Sequence, residues 1–271
     1  MKDLLKFMTC GSVDDGKSTL IGRLLYDSKL LYTDQLQKLE LESQVGSRDG
    51  EIDYSLLLDG LSAEREQGIT IDVAYRFFNT EKRSFIVADT PGHEQYTRNM
   101  AVGASFADLA ILLVDATQGL LTQTKRHLRI SYMMGIRHFI LAINKMDLAS
   151  YSEKTYKTIT DAFYTLLKSY ESVKSTVIPV SATEGDNVKH PSTNMSWYDG
   201  PSLMDYLETV EIQPVHEDNS FVMPVQKVSR PNHQFRGYQG TIASGELNIG
   251  DEIISLPSQI KAKVKEIYAG F

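Results

Sequence analysis

With one cysteine in 271 residues, the chain has no internal disulfide. That residue, Cys10, sits in an apolar stretch, which fits a buried thiol in a reducing compartment. No apolar run is long enough to cross a bilayer. The opening MKDLLKFMTCGSVDD shows no small-residue cleavage site, so the expectation is a cytoplasmic protein with neither signal peptide nor membrane span. Positive charge is scarce: 28 Lys and Arg stand against 35 Asp and Glu, a net charge of −7. A sequence-independent grip on nucleic acid needs concentrated positive charge, so nucleic acid is not an expected partner, although a local patch could still make a specific RNA contact. Internal repeats and low-complexity tracts are missing too.

What is present is a series of short, nearly continuous apolar runs: Phe7–Cys10, Phe85–Ala88, Leu109–Val114, Phe139–Ile143 and Thr176–Val180. Apolarity without alternation is what a strand needs when both its faces are covered. Segments of helical character lie between them, over Lys17–Tyr26, Gln95–Gly103, Thr122–Met134, Glu153–Ser169 and Ser202–Val210. The alternation predicts an α/β fold, a mostly parallel sheet flanked by helices, with Ile69–Phe78 as a further edge strand. Character changes near Asp218. Beyond it the short runs MPVQKV, QGTIAS and EIISL are punctuated by Gly237, Gly240, Gly245 and Gly250, the pattern of an antiparallel β-barrel. Two domains are expected: residues 1–217, and residues 218–271 as an incomplete barrel of a longer chain, since an open half-barrel leaves sticky edges. The polar segment Ser43–Asp53 reads as a mobile loop.

Four short motifs carry chemistry. GSVDDGKS comprises Gly11, Ser12, Val13, Asp14, Asp15, Gly16, Lys17 and Ser18, with Thr19 next, directly after a strand and opening a helix. Such a loop turns backbone N–H groups toward phosphate oxygens, and the helix N-terminus adds positive potential. Lys17 would reach the β- and γ-phosphates and Ser18 would ligate Mg²⁺. DTPGH follows at a strand end: Asp89 would hold Mg²⁺ through water, with Thr90 and Pro91 in the turn. Gly92 leaves room for a γ-phosphate, and His93 could orient an attacking water. NKMD places Asn144 as a brace, Lys145 as a cover for the base, Met146, and Asp147 as two acceptors suited to the N1–H and amine of guanine. SAT offers the Ser181 and Ala182 backbone to guanine O6. All four stand at C-terminal strand ends, where α/β sheets bind ligands, so GTP or GDP with Mg²⁺ is the expected cofactor set.

The motifs resemble the translation-factor class of GTPases, which typically carries Val-Asp in the P-loop, Gly-Ile-Thr-Ile, and Asp-x-Pro-Gly-His. Here these are Val13-Asp14, Gly68-Ile69-Thr70-Ile71 and Asp89–His93. The resemblance implies that Thr70 ligates Mg²⁺ and closes over the γ-phosphate, that Val13 and Ile69 gate His93, and that Asp14 assists the P-loop. Within the class, GSVDDGKSTLIGRLL, DGLSAEREQGITIDVAYRFF, DTPGHEQYTRNMAVGAS and RPNHQFRGYQGTIASG look like the large GTPase subunits of bacterial sulfate adenylyltransferase (ATP sulfurylase). Elongation factors usually read GHVDHGKT and place Arg where Gln67 stands here. The resemblance implies that GTP hydrolysis is coupled to formation of adenosine 5′-phosphosulfate and pyrophosphate from ATP and sulfate. A separate small adenylyltransferase subunit, the partner in a heteromer, would hold the adenylyl-transfer site. A translation factor acting with RNA and the ribosome is the alternative. Arg65 and Arg98 read as surface arginines rather than arginine fingers, so slow intrinsic hydrolysis is expected.

Overall fold

The computed structural model describes residues 3–28, 52–58, 70–212, 220–232 and 235–268. The chain divides into two compact units, Met1–Ile212 and Gln213–Phe271, a few residues before the boundary expected from composition. The first is built on a six-stranded sheet in the order β2-β3-β1-β4-β5-β6. Its strands are β1 (Asp3–Cys10), β2 (Ala74–Asn79), β3 (Arg83–Asp89), β4 (Leu109–Asp115), β5 (His138–Asn144) and β6 (Lys174–Pro179). Every pairing is parallel except β2 with β3. In β4 and β5 every residue is buried, the condition that the unbroken apolar runs demand.

The helices are α1 (Lys17–Asp27), α2 (Thr97–Phe106), α3 (Thr122–Met133), α4 (Glu153–Leu167) and α5 (Leu203–Thr209). Alternation along β1 splits the core in two. Leu5 and Phe7 face a cluster with Leu20, Ile21 and Leu24 of α1 and Leu203 and Leu207 of α5. Met8 and Cys10 face the other cluster, with Met100, Leu128, Ile159 and Phe163 from α2, α3 and α4. Phe78 stacks on Phe85 at 4.7 Å between centroids, and Phe7 meets each ring edge-on at 6.2 Å. The helix starts follow side-chain chemistry. Ser152 accepts from the Thr155 amide and Ser202 from the Asp205 amide, satisfying first-turn donors of α4 and α5.

Two boundaries differ from the sequence expectation. The edge strand runs Ala74–Asn79 rather than from Ile69, which lies outside the described residues. Just before it, the Asn99 side chain donates to the Ile71 carbonyl at 2.9 Å, drawing that segment to α2 instead of into the ladder. A short 3₁₀ turn, Glu94–Tyr96, precedes α2, because the His93 side chain caps it by accepting from the Gln95 amide. Of the expected loop Ser43–Asp53, residues 43–51 lie outside the described residues. A 3₁₀ turn at Tyr54–Leu57 packs on α1 where Gly22 leaves no side chain in the way.

In the second unit, β7 (Lys227–Ser229) pairs antiparallel with β8 (Gly237–Gln239), and β9 (Glu252–Ser255) with β10 (Ile260–Lys263). The strands are shorter than the runs MPVQKV and QGTIAS suggest. Val225, Val228, Tyr238 and Ile242 are exposed, so little burial is available to extend the ladders. Among the described residues, no helix is long and apolar enough to cross a membrane.

Candidate nucleotide-binding site

Strand β1 delivers the loop Gly11–Gly16 to the first turn of α1. Gly16 has φ +88°, a left-handed conformation, and a β-carbon there would run into the Asn144 side-chain amide. Among the described residues no side chain caps α1, so its first backbone N–H groups are open to an anion. Lys17 is buried, and its ammonium donates to the carbonyls of Ser12 at 2.6 Å and Gly11 at 3.3 Å. Burial holds its pKa below the usual lysine value, against the opposing pull of Asp89 and Asp15. Asp15 lies beneath the loop, its Oδ2 accepting from the Ser12 amide at 2.5 Å. Burial pushes that carboxyl up, with the Ser12 bond and Lys17 acting the other way. Ser12, Val13, Ser18 and Thr19 are half-buried and Asp14 is exposed.

Asp89, at the end of β3, faces this loop. Ser18 Oγ stands 3.4 Å from Asp89 Oδ2, and Thr9 Oγ1 stands 3.5 Å from Oδ1. The buried Thr90 hydroxyl donates to the Thr9 carbonyl at 2.7 Å and pins the start of the DTPGH turn to β1. Pro91 is buried beside it. Gly92 lies against the P-loop so closely that a β-carbon would sit 2.5 Å from Lys17 Nζ and 2.7 Å from the Gly11 carbonyl. His93 is turned away from that contact: its Nδ1 accepts from the Gln95 amide at 3.3 Å, and its ring lies 6.0 Å from Tyr96. Thr70 is half-buried beside the Ile71 held by Asn99. Gly68, Ile69 and Arg65 lie outside the described residues; Arg98 is exposed.

The base-side motifs converge through Asn144. Its Nδ2 donates to the Asp15 carbonyl at 2.9 Å and its Oδ1 accepts from the Ala182 amide at 3.0 Å, so one buried side chain joins the P-loop, NKMD and SAT. Met146 is buried and its amide donates to the Val180 carbonyl at 3.2 Å, while Ser181 and Ala182 are buried alongside. The half-buried Asp147 carboxylate accepts nothing from the described residues. Lys145 has φ +60°, and its ammonium pairs with Asp115 Oδ2 at 2.8 Å.

Two contributors were missed in the sequence. Asp115 ends β4 as Asp89 ends β3, and an acid closing an apolar run was the signal available. Burial would raise its pKa, but bonds from Lys145 and Thr117 outweigh burial and hold it below the usual value. Arg23 of α1 donates to the Thr183 carbonyl at 2.8 Å, bracing the SAT loop from below, and nothing in the spacing announces that.

Comparison with known proteins decides the family. The family described as "Elongation factor Tu GTP binding domain" matches residues 2–214. This chain belongs to that family. The chain is 56% identical, over 98% of its length, to "Sulfate adenylyltransferase subunit 1" of Saccharophagus degradans, and 56% identical to the protein of that name from Salmonella arizonae. It spans a little over half of their length, 57% and 56%. Among solved structures, the chain is similar to the GTPase-like domain of S. cerevisiae Ski7 bound to GTP. That match has a TM-score of 0.67 and 23% identity, covering 93% of this chain and 60% of the other. It is also similar to Sup35 complexed with GDP, with a TM-score of 0.58 and 25% identity, covering 98% and 58%.

Proposed function

We propose that this chain binds GTP and GDP with Mg²⁺ and hydrolyses GTP as the energy-coupling part of a sulfate-activating enzyme. The observation that carries the guanine-nucleotide reading is the Asn144 bridge, which gathers the phosphate loop and both base loops around one buried amide. For the metal, the Ser18 hydroxyl and Asp89 carboxylate face each other at the foot of the phosphate loop, a hard oxygen pair of the kind Mg²⁺ takes. Thr70 would complete the set when its segment closes. Bound there, Mg²⁺ would neutralise charge on the β- and γ-phosphates.

In this reading Lys17 gives up its bonds to Gly11 and Ser12 for phosphate oxygens, and the amides that open α1 cradle the same group. Gly92 yields space to the γ-phosphate. His93 leaves the Gln95 amide and positions a water for in-line attack, within limits set by Val13 and Ile69. Asp147 accepts from guanine N1–H and its amine, and Ala182 donates to O6. The sulfate role is supported by the high identity to proteins named sulfate adenylyltransferase subunit 1 and by the Asp15 and Ser18 variants of the P-loop. Hydrolysis would drive synthesis of adenosine 5′-phosphosulfate and pyrophosphate from ATP and sulfate, on a small adenylyltransferase subunit in a cytoplasmic heteromer. Residues 218–271 would be the first part of a translation-factor-like barrel.

The deciding measurement is GTP turnover with that small subunit, with and without ATP and sulfate. Stimulation requiring both substrates supports the role. Stimulation by ribosomes instead would refute it and leave the GTP site standing. In the isolated chain, Asp147→Asn should move preference from guanine to xanthine nucleotides; an unchanged preference refutes the base contact.

A further inference from the structure

Behind the base-reading loops lies a set of polar contacts that phosphate and magnesium chemistry does not use. Tyr151 follows NKMD at the head of α4. Its amide donates to the Met146 carbonyl at 2.7 Å, and its own carbonyl accepts from the Trp197 indole N–H at 3.0 Å. Ser150 and Tyr151 both have positive φ, +52° and +53°, a conformation that side-chain-bearing residues hold only when their surroundings impose it. From this backbone conformation the Tyr151 hydroxyl donates to Asp186 Oδ2 at 2.8 Å.

Asp186 is anchored on its other side. Its Oδ1 accepts from Ser192 Oγ at 2.5 Å, and Asn194 Nδ2 reaches both carboxylate oxygens at 3.3 and 3.5 Å. Its backbone carbonyl accepts from the Ser181 amide at 3.1 Å, at the start of the SAT loop. Burial first, and then the Asp186 carboxylate, push the Tyr151 phenol up to about 12, so it stays protonated and donates. Asn144 already joins the two base loops at their inner ends, where they leave the sheet. Tyr151 and Asp186 join them again further out.

We infer that the Tyr151–Asp186 hydrogen bond is a positioning latch, holding Asp147 and the Ala182 amide at a fixed separation and so governing the release and discrimination of guanine nucleotide. The inference rests on the guanine reading above. Guanine presents O6 to one loop and N1–H with its 2-amino group to the other. Both sets of bonds form together only if the loops keep their spacing, and a buried polar group left unmatched is costly.

The test is GDP release from the 271-residue chain, by chase of a fluorescent GDP, together with binding of GDP and of inosine diphosphate, which lacks the 2-amino group. Tyr151→Phe removes only the hydroxyl and keeps the main-chain bonds. It should speed release by roughly ten-fold, the scale of one charge-assisted hydrogen bond, and lower the GDP-over-IDP preference. In the Asp186→Ala background the same change should add nothing. Wild-type release in Tyr151→Phe overturns the latch. So does an equal loss for GDP and IDP, the mark of general loosening, or a multiplied effect in the double variant. Should Asp186→Ala not fold, the Tyr151→Phe preference alone decides. If the wild-type chain binds GDP no better than ADP, the guanine reading itself has failed.

Discussion

His127 makes the stability of the first unit depend on mild acid in a way that can be computed. It lies on the inward face of α3, fully buried. Arg126 donates to Gln123 Oε1 at 3.3 Å, which turns the Gln123 amide nitrogen toward His127 Nε2 at 3.2 Å. Nε2 therefore accepts, and the proton sits on Nδ1, which has no hydrogen-bond partner among the described residues. Burial, and then the charges of Lys17 and Arg126, lower the pKa from 6.5 to about 4. Below pH 6.5 the unfolded chain takes up a proton that the folded one refuses, so stability is full above 6.5 and is lost as pH falls toward 4. At pH 5 the unfolded-state ratio favours protonation about thirty-fold, and the loss is about 2 kcal/mol. Urea denaturation of the nucleotide-free chain, followed through Trp197, the single tryptophan, at pH 8 and pH 5, measures it. His127→Leu keeps the volume and removes the titration, so its loss between the two pH values should be smaller by about 2 kcal/mol. Equal losses in the two proteins would refute the assignment.

Other consequences are checked more simply. His93→Ala should spare GTP binding and lower partner-stimulated turnover by about ten-fold or more, the scale of one positioned group; normal turnover would remove His93 from the mechanism. Because burial raises the Asp15 pKa above 3.8, the folded chain carries an unfavourable charge once pH exceeds the folded value. Asp15→Asn should therefore be more stable than wild type at pH 7, with the advantage shrinking as pH falls toward 3.8, as denaturation at the two pH values would show. Gly22→Ala would drive a methyl group into the Tyr54 carbonyl and should cost about 1–3 kcal/mol, read from the urea midpoint.

The sheet was legible because burial on both faces leaves a continuous apolar trace, and β4 and β5 show it without interruption. The GSVDDGKS, NKMD and SAT loops, which the structure brings together through Asn144, were legible as short motifs at strand ends. His127, Asp115, Tyr151 and Asp186 were not. Each is a polar residue whose importance comes from where the fold places it: burial, and then Lys17, for His127, Lys145 for Asp115, and the Ser181 loop for the tyrosine–aspartate pair. One sequence carries no mark of such pairings. The late start of β2 was hidden for a related reason, since β-branched residues at 69–73 favour a strand until Asn99 claims the Ile71 carbonyl.

Arg83 opens β3, and its buried guanidinium grips the carbonyls of Leu207 at 3.0 Å and Val210 at 2.6 Å while also pairing with Asp3. Val210 is where α5 ends, two residues before the first unit gives way to the second. Asp89 closes the same strand, and seven residues of extended chain span about 23 Å. The Arg83 clamp thus fastens the end of α5 to one end of a stiff, extended strand. The other end of that strand bears the DTPGH turn, so within the first unit a single seven-residue strand joins the anchored end of α5 to the turn that packs against the Gly11–Gly16 loop.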